Sequence, residues 1–65
     1  MKDLVIIGAG GFGREVQWLI EQINKKAKEE TGEAVWNIQG YIDDGLQIGT
    51  VINDLPILGG SSLLL

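Results

Sequence analysis

The sequence predicts an α/β fold built on a parallel βαβ unit, and three observations carry that reading. Leu4-Val5-Ile6-Ile7 is a continuous apolar run, the pattern of a strand covered on both faces of a parallel sheet. It runs directly into Gly8-Ala9-Gly10-Gly11-Phe12-Gly13, a Gly-x-Gly-x-x-Gly turn. A helical period follows, and then a second strand that ends in acid.

The glycines of the turn have separate mechanical roles. Gly8 permits the tight exit from the strand, Gly10 lets backbone approach a phosphate, and Gly13 allows close helix–strand packing. Gly11 bares still more backbone. The helix that begins here presents free N–H groups and a partial positive charge to an anion. The unit is therefore expected to be Rossmann-like, with Gly8, Gly10, Gly11, Phe12, Gly13 and Arg14 around a nucleotide phosphate. The alternative is a compact turn with no ligand. For Arg14 the choice is between a phosphate contact and a solvated helix residue that points away from the apolar side.

From Phe12 to about Lys28, the residues Phe12, Val16, Leu19, Ile20, Ile23 and Ala27 recur at three- and four-residue spacing. At about 100° per residue they form one stripe, expected to pack on the sheet. Glu21 and Lys25 are spaced for an i,i+4 pair on the wet side. Lysines near the end suit the helix dipole, and Gly32 is the expected stop. Trp18 falls opposite the stripe, either as an interface residue or lying flat on the helix.

Val35 to Asp43 reads as the second strand, with Trp36, Ile38 and Ile42 on one face and Val35 and Tyr41 on the other. Trp36 and Tyr41 are expected to pack rather than to stack on a base. Gly40 marks a close backbone or ligand approach. Asp43-Asp44-Gly45 ends the strand in a turn. Asp43 lies thirty positions past Gly13, further than the usual spacing of a ribose-binding acid, but at the strand end where that acid belongs. It is either a nucleoside ligand or part of a hydrophilic turn. Short extended segments follow over 48–52 and 56–58, joined by a turn at Asn53-Asp54. Pro56 fixes a turn or an edge strand. Gly59 to Ser62 forms a loop with a helix N-cap, and Leu63-Leu64-Leu65 starts a second helix.

Composition narrows the function further. Sixty-five residues without Cys or His can form no disulfide and no Cys- or His-ligated metal site. A chain this short buries only about 60% of its unfolded surface, so its core is marginal. A net charge of −4, with Lys25, Lys26 and Lys28 followed at once by Glu29 and Glu30, argues against a nucleic-acid surface. No apolar run reaches the roughly 20 residues of a membrane span, and the N-terminus lacks a secretory pattern. A cytoplasmic location is expected. With one full helix for a strand that wants cover on two faces, residues 1–65 read as a single incomplete domain. The three terminal leucines would then be an exposed, association-prone end.

Together GAGGFGREV at Gly8–Val16, GYIDD at Gly40–Asp44 and PILGG at Pro56–Gly60 resemble the N-terminal domain of bacterial sugar acetyltransferases. The type is the sialic-acid O-acetyltransferase and UDP-4-amino-sugar N-acetyltransferase family, and the resemblance spans essentially the whole chain. It implies a Rossmann-like domain that binds a UDP- or CMP-linked sugar. A left-handed β-helix of hexapeptide repeats would follow, supplying acetyl-CoA binding, a catalytic His and a homotrimer. It places Gly8, Gly10, Gly11 and Gly13 at the diphosphate, and Asp43 and Asp44 near the nucleoside. The sequence has neither His nor hexapeptide repeats, so nothing in it serves as the base that acetyl transfer needs. The expected role is acceptor binding without catalysis, with no cofactor held by these residues. Self-association through Trp18 or Leu63, Leu64 and Leu65 is also expected. Two other readings stay open: the NAD(P)-binding half of an oxidoreductase, from the turn and Asp43 alone, and a structural or oligomerising module with a vestigial site.

Overall fold

A computed structural model describes residues 1–64. It contains β1 (Lys2–Ile7), α1 (Gly11–Thr31), β2 (Trp36–Ile42), β3 (Val51–Ile52), β4 (Leu55–Gly59) and a closing 3-10 turn (Ser61–Leu64). The sheet order is β1-β2-β4-β3, which leaves β1 and β3 as the edges. β1, β2 and β4 run parallel, and the β3–β4 hairpin is antiparallel. This is a Rossmann-like α/β fragment with a mostly parallel sheet, as the sequence predicts. Leu65 lies outside the described residues.

The core is one row across the three parallel strands. Ile6 pairs with Tyr41 and Tyr41 with Ile57, and all three are buried. Val16 and Ile20 of α1 pack on this row, as do Leu4, Ile38, Ile52 and Leu55. Ala9 closes the same cluster at its upper end.

Tyr41 lies on the opposite face from the one its alternation predicts. Leu4 pairs with Ile38 but Val5 with Gly40, so Gln39 is an extra residue, a β-bulge. One inserted residue inverts every later side chain. Tyr41 therefore joins Ile38 beneath α1, and Ile42 turns to the other face. Gly40 makes this possible, with φ at 156° and Pro56 O only 2.5 Å from where a Cβ would stand. Its close approach is to backbone.

The helix is also rotated from its expected setting. Its inward side is Gly13, Val16, Gln17, Ile20, Asn24 and Ala27, about 60° around from the predicted stripe on a helical wheel. Phe12, Leu19 and Ile23 are exposed, Phe12 by 80%. Two buried or half-buried amides account for the rotation. Tyr41 OH donates to Gln17 Oε1, and Gln17 Nε2 donates to Asn53 O at 3.0 Å and Glu21 Oε2 at 3.3 Å. Asn24 Oδ1 accepts from Val35 N and Trp36 N, while its Nδ2 donates to Trp36 O at 2.8 Å. A buried amide needs partners more than an exposed aliphatic needs cover. The ion pair on the wet side is Lys26–Glu30 at 4.0 Å, not Glu21–Lys25; Glu21 takes the Gln17 amide instead.

The ends of the elements follow the sequence closely. Gly32 caps α1 in the left-handed conformation, its N–H on Lys28 O. Asn53 and Asp54 both have positive φ, the geometry of a two-residue hairpin turn. Pro56 lies inside β4, opposite Val51, rather than in a turn or edge strand. Gly59 is the last residue of β4, not part of the loop that follows. The start of the second helix is a 3-10 turn, with Leu63 and Leu64 exposed. The cover expected on both faces of β1 is present on one: Leu4 and Ile6 face α1, while Val5 and Ile7 are 37% and 69% exposed. No helix of the described residues is long and apolar enough to cross a membrane.

Candidate anion site at the glycine turn

The three parallel strands end together, and their exit loops meet at one rim. Gly8 N donates to Ile42 O at 2.7 Å and Asp43 N to Gly59 O at 2.9 Å, carrying the ladder past the strand ends. In open α/β sheets ligands bind outside the carboxyl ends of the strands, which is this rim.

Gly8 leaves β1 with φ at 88°, a conformation costly for any residue with a Cβ. Gly13 faces back onto it: a Cβ there would collide with the Gly8 carbonyl oxygen. The close helix–strand contact thus fixes where α1 begins. Gly10 is the N-cap, no side chain caps it, and no acid occupies the first helical turn. Arg14 N makes the first helical bond, to Gly10 O at 3.0 Å. The amides of Gly11, Phe12 and Gly13 therefore have no acceptor within the helix. Around Gly10 and Gly11 a Cβ would meet open space, so these two glycines are not required by packing within the chain. Phe12 and Arg14 flank the amides as exposed side chains.

The two acids of the rim bond within the chain. Asp43 Oδ2 accepts from Ala9 N at 2.8 Å, and Asp43 Oδ1 from Gly45 N at 2.7 Å. These bonds, Ala9 first, hold the Asp43 carboxyl below the usual carboxylate range, against a smaller opposing effect of desolvation. Asp44 turns the other way and accepts from Ser61 N at 2.8 Å. Neighbouring carboxylates thus stitch the loop of β2 to those of β1 and β4. Gly8, Gly10, Gly11, Phe12, Gly13, Arg14, Asp43 and Asp44 all lie along this rim. Hollows among the described residues lie elsewhere: along α1 between Gln22, Lys25, Lys26, Glu29 and Glu30, between Glu15, Trp18 and Leu19, and near Met1 and Gly32.

The sequence reading missed the anchoring of Ala9 and the amides of Gln17 and Asn24. The last two had a signal: they are polar residues seven apart, beside the apolar stripe on one helical face. The arrangement offers hydrogen-bond donors to an anion and holds no acid–base or nucleophilic pair. Among the described residues no group of three or more acids could hold a metal ion.

A family model described as the PglD N-terminal domain matches residues 3–65. No curated protein and no solved structure matches the chain.

Proposed function

This chain belongs to the PglD N-terminal domain family, that of PglD-like sugar acetyltransferases, and on that premise we propose that it binds the nucleotide-sugar acceptor of such an enzyme. The observation that supports this most is the uncapped start of α1 over two glycines with open space around them, at the carboxyl rim of the sheet. An anionic diphosphate is the ligand such a rim suits: it accepts from the amides of Gly11, Phe12 and Gly13, and the helix dipole favours its charge. Arg14 stands beside it, and Phe12 offers an apolar surface. The nucleoside lies toward Asp43 and Asp44. Acetyl transfer itself, with acetyl-CoA and a His base, belongs to a β-helix domain with which these residues cooperate, and a homotrimeric assembly in the cytoplasm accompanies that architecture.

The test is amide chemical-shift titration of the 15N-labelled chain with UDP, CMP and NAD. Shifts at Gly10–Gly13 with UDP or CMP are expected. A response to NAD alone makes the chain a nicotinamide-binding half. No response to any of them leaves a structural module.

A further inference from the structure

We propose that Asp43 is a positioning residue for the glycine turn, acting on the anion site through Ala9 rather than by touching the nucleoside. The inference rests on the anion-binding reading above and deepens it. Ala9 is held from two sides: its side chain is buried in the Ile6–Tyr41–Ile57 cluster, and its amide donates to Asp43 Oδ2. Gly8 just before it is held by Ile42 O. The chain is therefore fixed up to Ala9, and the amides that follow are aimed by that anchor.

The carboxylate is specifically required, because both its oxygens accept from backbone amides, Ala9 on one and Gly45 on the other. An Asn side chain has one acceptor oxygen, so its NH2 must face one of those two donors. Asp43→Asn keeps the shape and still breaks half of the clamp. Electrostatics sharpens the distinction. Removing a negative charge beside an anion site strengthens anion binding by itself, so weaker binding in the variant reports lost geometry.

The experiment compares wild-type chain with Asp43→Asn, each 15N-labelled and titrated separately with inorganic pyrophosphate and with UDP. Pyrophosphate has no nucleoside to touch. The expected result is that both affinities fall by the same factor, about tenfold, the worth of one charge-assisted hydrogen bond. The Ala9 amide should exchange faster while the Ile6, Tyr41 and Ile57 signals stay in place. If UDP weakens while pyrophosphate is unchanged or tighter, Asp43 is a nucleoside ligand and the proposal is overturned. Unchanged affinity for both in a variant whose Ala9 amide does exchange faster overturns it too. Wild-type chain that binds neither anion instead brings down the anion site itself, a result distinct from the other two. Should Asp43→Asn fail to fold, or keep its oxygen on Ala9 so that the Ala9 amide exchanges as in wild type, Asp43→Ser carries the same comparison, since its hydroxyl serves the Gly45 turn but is too short to reach Ala9.

Discussion

Gln17 shows how much a single buried amide decides in this chain. It joins the helix to Tyr41 on β2 and to the hairpin turn at Asn53, and it is 3% exposed. Gln17→Ala strands the Tyr41 hydroxyl in the core, a loss expected to cost about 1–3 kcal/mol. Urea unfolding measures it, and Gln17→Ala with Tyr41→Phe should cost less than the sum of the two alone. Asp43 adds a pH dependence whose sign follows from its lowered folded pKa. Its contribution is complete above the ordinary value of 3.8 and is lost as pH falls through the lower folded value. Wild-type chain should therefore lose stability more steeply than Asp43→Asn on acidification below that value, as followed by circular dichroism. At this scale the sequence was informative about residue type and silent about partners. The turn glycines were legible from spacing, and the acids of the rim from their place at the end of the second strand. That Asp43 and Asp44 reach in opposite directions, to Ala9 and to Ser61, depends on how three loops meet and has no local signature.

At the scale of elements, the order of strands, helix and hairpin could be read from periodicity and turn residues. Gly32 and Asn53-Asp54 ended their elements where turn chemistry said they would. The faces were less legible. Gln39 shifts the register of β2 by one residue, and no alternating pattern announces such an insertion; Gly40 was its one trace. The helix turned from its apolar stripe because Gln17 and Asn24 found partners on the sheet side, a tertiary effect that a helical wheel cannot register. Gly40 is where these features can be tested together. Gly40→Ala puts a methyl against Pro56 O and the Leu58 side chain in a backbone conformation that favours glycine. A cost of about 1–3 kcal/mol from overpacking is expected, more if the backbone cannot shift. Thermal unfolding checks this, and the Ile57 amide shift reports whether β4 has moved.

Seen whole, the molecule has one finished layer and one covered only in part, where Ile42 is buried. Helix, sheet and the row from Ile6 to Ile57 make a core, while Val5, Ile7, Leu63 and Leu64 stay in contact with solvent. The outer flank of α1, with Phe12, Trp18, Leu19 and Ile23, is similarly uncovered. The sequence foretold this imbalance, because four apolar residues in β1 call for more cover than a single amphipathic helix gives. The position of β1 at the margin of the sheet has a further consequence. Along the side away from β2, its peptide groups have no neighbouring strand among the described residues, so they form a template on which another extended chain can zip. Lys2 and Asp3 are the only charges guarding it. The segment from Leu4 to Ile7 is thus a place where fibril growth in a concentrated solution would begin.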